Sequence, residues 1–297
     1  MVKLIKRVLN KLKYLVERGT NRVLLSLKVY PNVLDSHQSI QNIVENEMSV
    51  SRVGCGEISV MRGSDWGFQK YDEKLVRRMI EVLNSPNDPK IAICIPDVFR
   101  DRSRLSDYAT RFWHNQVSNN LLQWNKFTTK NKLYYDALFT RFYMDLEDKV
   151  EFPQKSLELL KKVWNDKDLL IIEGSGSRLG YQNDLFSNSK SIQRILCPAE
   201  SAFDKYDEIL ETTQQHAKDK LVLIALGMTA TVLSYDLAQK GFRAIDIGHI
   251  DAEYEWFRMK ATKKVALKYR YLNEVNAREI EEIKDDEFNS QVIAKID

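Results

Sequence analysis

Between Gly241 and Phe257 the chain gathers His249, Asp251, Glu253 and Glu255 just past a short apolar run, Ala244 to Gly248. That run reads as a buried strand. In an extended segment, residues two apart face the same side. Asp251 and Glu253 could then share a hard divalent cation, since Mg2+ and Mn2+ both accept carboxylate oxygens together with substrate phosphates. Such a cation would neutralise a diphosphate and stabilise charge growing on a leaving group. This is the chemistry of a transferase that uses a nucleotide-activated donor. The same spacing also occurs in solvated acidic loops and at helix N-termini. His249 is a ligand in the first reading and orients the loop in the second.

A second cluster runs from Glu173 to Asp184. Gly174, Ser175 and Ser177 make a loop that lets a ligand approach the backbone. Arg178 could clamp a phosphate or orient an acceptor, and Asn183 and Asp184 could bond sugar hydroxyls. A polar loop capping the next helix is the plainer alternative. Gly227 joins an apolar run to a helical pattern whose first turn holds Thr229, and free N–H groups there favour phosphate. The spacing matches neither the dinucleotide fingerprint nor a P-loop, and a close turn that needs small residues explains it too. Arg62, Asp65 and Trp66 sit in a Gly-punctuated turn. Asp65 could hold a sugar hydroxyl or act as a base, and Arg62 could meet a phosphate, unless the two simply lock the turn. Asp97 follows an apolar run and could contact ribose or base, or cap a helix. The candidates for general base are Asp65 and Glu173, either of which must come within about 3 Å of the acceptor hydroxyl.

The elements that must position these groups alternate. Apolar runs at 91–99, 168–174, 191–199, 220–227 and 242–248 read as strands, and 56–67 reads as a strand running into a turn. Helical patterns cover the segment up to Leu27 and then 38–50, 71–84, 101–126, 154–164, 201–217 and 229–241. Residues 131–144 read as a strand or short helix near the cleft. Strand–helix alternation predicts a three-layer α/β sandwich with a mostly parallel sheet and added N-terminal helices. Ligands in such folds bind beyond the carboxyl ends of the strands. Asp97, Glu173 with Arg178, Gly227 with Thr229, and Asp251 with Glu253 all fall at that end.

The chain has 297 residues and 43% hydrophobic content, enough for one large domain or two smaller ones. A net charge of +3 gives no nucleic-acid footprint. The distribution is uneven: the first thirty residues carry +7 and the rest −4. Leu9, Leu12 and Leu15 or Val16 recur at helical spacing among Lys6, Arg7, Lys11 and Lys13. Such a helix could lie on an anionic membrane surface, pack on the body, or form a homodimer contact. No apolar run is long enough for a transmembrane span, and the N-terminus lacks a signal-peptide core. Cys55, Cys94 and Cys197 are scattered, which fits a reducing cytoplasm and argues against a zinc site. The expected organisation is a basic helical segment at 1–37, a catalytic domain at 38–272, and a charged tail at 273–297 made of a peripheral helix and a frayed end.

Three segments together, 60–67, 171–186 and 225–257, resemble the bacterial GT-D type glycosyltransferase family, formerly domain of unknown function 1792 (DUF1792). The resemblance covers roughly 40–265 and is longest over Glu173–Gly180 and Ala225–Phe257. It implies a Rossmann-like fold distinct from glycosyltransferase types A and B. It also implies a UDP-sugar donor, UDP-glucose above others, and Mn2+ or Mg2+ held at Asp251 and Glu253. The implied acceptor is a saccharide on a lipid carrier or glycoprotein, and the implied location is the cytoplasm or the inner membrane face. The family's Arg-x-Gly-Asp-Gly-Glu segment is placed on Arg62–Gly67, with one residue inserted and the closing acid missing. A metal-dependent phosphotransferase or pyrophosphatase, or a non-catalytic scaffold in a glycan-assembly complex, are the competing readings.

Overall fold

The computed structural model describes residues 2–272, 275 and 284–297, with side chains described from residue 11 onward. Among the described residues, nine strands form one sheet: β1 (Asn32–Val33), β2 (Ser49–Arg52), β3 (Ile91–Ile95), β4 (Leu133–Asp136), β5 (Asp168–Gly174), β6 (Ser191–Cys197), β7 (Leu221–Ala225), β8 (Ala244–Asp246) and β9 (Val292–Lys295). The helices are α1 (Val2–Ser26), α2 (Ser36–Glu45), α3 (Cys55–Met61), α4 (Glu73–Asn84), α5 (Asp107–Phe127), α6 (Glu151–Trp164), α7 (Tyr206–His216), α8 (Met228–Gln239), α9 (Ile250–Arg258) and α10 (Asp286–Gln291). The strand order is β1-β4-β3-β2-β8-β7-β5-β6-β9, and every pairing between named strands is parallel.

A parallel sheet covered on both faces needs strands that are apolar on both sides. Along β3, Ile91, Ile93 and Ile95 enter one core, while Ala92 and Cys94 enter the other. Along β5, Leu170 and Ile172 face the first, and Leu169 and Ile171 the second. The first core lies under residues of α4, α5, α7 and α8, and the second under α2, α6 and α9. This is the expected three-layer arrangement. Helix α1 packs on the outside of α5.

The topology creates a crevice. The chain leaves β2 toward β3 on one side, whereas β8, its neighbour, leads away toward β9 at the opposite edge. Strands whose connections diverge leave room at their carboxyl ends, where α/β folds bind ligands.

Four local expectations change. Residues 56–61 are helix α3, not strand, because Gly54 starts a helix that Glu57 caps by accepting its N–H at 2.7 Å. The strand lies just upstream, at β2, and so the helix expected over 38–50 ends at Glu45. The segment 131–144, expected as a strand or short helix, holds both a strand, β4, and a 3-10 turn, Ala137–Thr140. The tail expected to fray instead ends in β9, which pairs with β6 at the sheet edge. Residues 273, 274 and 276–283, where a peripheral helix was expected, lie outside the described residues.

Candidate functional site

The acidic cluster after β8 is helical. His249 is the N-cap of α9, and Asp251 and Glu253 lie in its first turn. At 100° per residue, two such side chains point about 160° apart. They serve different loops. Asp251 Oδ1 accepts Gly180 N at 2.7 Å and Asn183 Nδ2 at 2.8 Å, and its Oδ2 accepts Arg270 Nε at 2.7 Å. Glu253 Oε2 accepts Tyr143 N at 3.1 Å and Met144 N at 2.7 Å. Both residues are buried, and burial raises the Glu253 carboxyl above its ordinary value, opposed by Arg141. A shared cation would have to displace Arg270 and reach carboxylates on opposite sides of a helix. The pair therefore does not fit a divalent metal in this arrangement. Among the described residues, no three His, Cys, Asp or Glu side chains converge on a possible metal position.

Glu173 is also structural. Its Oε1 accepts Arg194 Nη1 at 2.7 Å and its Oε2 accepts Leu179 N at 2.7 Å, with both side chains buried. Burial raises its carboxyl despite Arg194, but no acceptor hydroxyl could reach it. Arg178 turns back to donate to Tyr269 O at 3.1 Å. Asn183 holds Asp251, and Asp184 accepts Tyr254 OH at 2.7 Å. Gly174 lets its strand approach Ala199, whose Cα would lie 3.3 Å from an added Cβ. The cluster expected to bind phosphate and sugar thus braces its own loop against α9 and the 269–270 segment.

Arg62 lies away from the crevice. It pairs with Glu17 of α1 at 3.2 Å and with Asn120 of α5. Asp65 accepts Tyr71 N at 2.8 Å and so closes its own turn. The family's Arg-x-Gly-Asp-Gly-Glu pattern is met without an insertion ten residues earlier, by Arg52, Val53, Gly54, Cys55, Gly56 and Glu57. Only the Asp differs, replaced by Cys55. That segment spans the end of β2 and the start of α3, at the crevice. The signal was present in the sequence, but reading 56–67 as a strand running into a turn concealed it.

The crevice is built from groups that sequence reasoning largely passed over. Arg52 donates to Ala137 O at 3.0 Å, to Thr140 Oγ1, and to Asp246 Oδ1 at 3.1 Å, tying the ends of β2, β4 and β8 together. Gly248, at φ 51°, is required here: an added Cβ would fall 1.8 Å from Arg52 Nη2. Arg141, after the 3-10 turn, lies 3.0 Å through Nη2 from His249 Nδ1 and 3.7 Å through Nη1 from Glu253 Oε1. A guanidinium has no acceptor, so His249 Nδ1 accepts and the neutral ring carries its proton on Nε2. Arg141 also opposes the burial that pushes the half-buried Cys55 thiol up to about 11. Gly227, at φ 53°, begins α8 beneath the Phe68 ring, 2.2 Å from where a Cβ would stand. Thr229 Oγ1, in the first turn of α8, is buried with no hydrogen-bond partner among the described residues. Two helix starts and a guanidinium at the strand-end crevice suit an anion.

Asp97 sits two strands away, at the end of β3. Its N–H bonds Asp136 Oδ1 at 2.9 Å, and its carboxyl lies 3.8 Å from both Arg100 and Arg104. Burial, with Asp136 adding, pushes its carboxyl up to about 6 from 3.8. The folded state therefore holds this proton more tightly than the unfolded chain. The stability it contributes is full below the unfolded value and is lost as pH rises through the folded one. Asp97→Asn is expected to stabilise the protein by about 1–3 kcal/mol at neutral pH and by less under acid conditions. Urea melts at pH values on either side of that transition measure the difference, and equal effects at both would contradict the burial argument.

Comparison with known proteins places this geometry. The family profile described as the glycosyltransferase GT-D fold matches residues 50–275. Glycosyltransferase GlyD of Streptococcus pneumoniae serotype 4 is 38% identical over 260 residues, covering 87% of this chain and 32% of that protein. The chain spans 32% and 39% of the lengths of two curated relatives it matches. A solved structure of domain of unknown function 1792, described as having a distinct glycosyltransferase fold, is similar with a TM-score of 0.88 and 40% identity, over 93% of this chain and 100% of that one. A Streptococcus sanguinis DUF1792 structure, described as a new glycosyltransferase, gives 0.86 at 39% identity over 90% of this chain and 100% of its own.

Proposed function

The chain belongs to the GT-D-fold glycosyltransferases, and from that membership we propose that it transfers a hexose from a UDP-sugar to a saccharide hydroxyl. UDP-glucose is the donor the family resemblance favours, and the acceptor is a saccharide on a glycoprotein or lipid carrier. The observation that supports the reading is the pairing of Arg141 with His249 at the start of α9, beside the strand ends where β7 leads into α8 and β8 into α9.

In glycosyl transfer from a nucleotide sugar, the bond between the anomeric carbon and the diphosphate oxygen breaks as the acceptor oxygen bonds to that carbon, and the acceptor's hydroxyl proton passes to the departing diphosphate or to solvent. Negative charge grows on the diphosphate. Preorganised donors aimed at that charge lower the barrier, because they need no reorganisation during the reaction. Arg141 supplies a fixed cation, oriented by Glu253 on one side and His249 on the other. The helix starts add backbone N–H groups. Glu173 is excluded as the acceptor base by its burial against Arg194. Asp251 and Glu253, each engaged by its own partners on a different side of α9, do not fit the Mn2+ or Mg2+ that the resemblance implies.

The test is turnover of UDP-glucose and other UDP-hexoses, followed as UDP release with and without saccharide acceptors. Acceptor-dependent release supports transfer. Release that never depends on a saccharide points to a pyrophosphatase. A folded chain that binds none of these donors by calorimetry, with or without Mn2+, overturns the reading.

A further inference from the structure

Helix α1 has two faces of different character. Its inner face packs on α5. Asn21 is buried there, donating to Ser118 O at 2.8 Å and accepting Leu122 N at 2.7 Å. Glu17 meets Arg62, and Tyr14 OH meets Asn119 at 3.3 Å. The outer face is apolar and uncovered. Leu12, Leu15, Val16, Val23 and Leu27 are 53%, 54%, 68%, 55% and 67% exposed. At 100° per residue they all fall within about 60° of Leu12, on the side opposite Asn21. Lys11 and Arg22 flank that stripe on one side and Lys13 on the other, each about 80–100° from its centre, and all three are exposed.

Such an arrangement is not that of a helix waiting for a protein core. A helix that only packs on a core has one apolar stripe, turned inward, whereas here Asn21 with Leu24 and Leu25 fixes the inward face and a second apolar stripe looks out. An outward apolar stripe bordered by cations is the pattern of a helix lying in a membrane interface, with side chains among the acyl chains and lysines at the headgroups. The net +7 of the first thirty residues selects an anionic surface over a neutral one. Among the described residues no helix is long and apolar enough to cross a membrane, so the contact is in-plane.

We propose that the outer face of α1 docks the protein on an anionic lipid bilayer. The proposal does not rest on the transfer reaction, because no group of the crevice takes part in it.

The test is co-sedimentation of the full chain with vesicles of phosphatidylcholine alone and of phosphatidylcholine with phosphatidylglycerol. The wild type is expected to bind the anionic vesicles at least tenfold more tightly, and to release as salt rises. Val16→Glu with Val23→Glu should reduce that binding at least tenfold. Both positions are exposed, so the melting temperature should hold. Lys11→Glu with Lys13→Glu should abolish the preference for anionic lipid. Wild-type chain that stays in the supernatant with both vesicles overturns the proposal, as does binding that the Val16/Val23 variant leaves unchanged. A dimer in light scattering that Val16→Glu dissociates, with no vesicle binding, would assign the stripe to a second copy of the chain instead. UDP-sugar turnover in solution should be unchanged in both variants, which separates this outcome from the fate of the transferase reading.

Discussion

Asp251→Ala is expected to destabilise the protein by about 3–5 kcal/mol, the usual result of removing one partner from a buried ion pair. On a chain of this size that lowers the melting temperature by on the order of 10 °C. Three interactions go at once. Arg270 loses the carboxylate that its Nε meets at 2.7 Å, and it stays buried as an uncompensated cation. Gly180 N and Asn183 Nδ2 lose their acceptor, which frees the loop after β5. Hydrogen exchange should therefore rise most in residues 178–184. Arg270→Met in the same chain should recover part of the loss, since two matched apolar replacements leave no orphaned charge. A metal ligand predicts otherwise. If Asp251→Ala kept the wild-type melting temperature but lost calorimetric Mn2+ binding, the structural role assigned to it would be wrong.

The contrast between the two readings of Asp251 rests on one dihedral choice. Residues two apart share a face in a strand and oppose each other in a helix. The sequence around them, Ile250 to Arg258, contains a β-branched residue and several aromatics, which suit either state. What decides for helix is tertiary: Asp251 and Glu253 each find partners on a different side of α9. No local signal carried that information, because Arg270 is nineteen residues away and Gly180 seventy-one.

Elsewhere the legible and illegible parts divide along physical lines. β3, β5 and β7 could be read because a strand covered on both faces must be apolar throughout. β2, Ser49–Arg52, was hidden because its buried polar residues find partners far away in sequence: Ser51 Oγ donates to Thr231 O at 2.6 Å, and Ser49 Oγ donates to Phe242 O at 3.3 Å. α3 read as a strand because Ile58 and Val60 alternate with polar residues. A seven-residue helix is too short for its 3.6-residue period to outweigh that alternation. β9 was hidden by the charged stretch before it, since Val292 to Ile296 is a brief apolar run that only the open edge of β6 makes useful. The crevice was legible as a location, from strand ends, but not in its cast. Gly227 and His249 were visible; Arg52 and Arg141 were not, because an arginine's role depends on where its long side chain reaches.

Arg141→Met is expected to lower kcat/KM for the proposed transfer by about 10²–10³, the cost of removing a donor that meets charge formed in the transition state. The loss should fall mainly on kcat, because the interaction strengthens as the diphosphate gains charge. Stability should change less. Glu253 Oε1 has no hydrogen bond among the described residues, with Arg141 3.7 Å away, and a carboxyl already raised by burial can take a proton when that cation leaves. Arg141→Lys keeps the charge but not the fork that reaches His249 and Glu253 together, so it should restore only part of the rate. His249→Ala should act on the same charge and cost less, about tenfold, as the loss of one hydrogen bond that orients Arg141. If the two groups serve one anion, the double variant should lose less than the product of the two single losses. Strictly multiplicative losses would place them on separate steps. A folded Arg141→Met protein with wild-type kcat/KM would remove Arg141 from the reaction, leaving it only a bridge between α9 and the turn after β4.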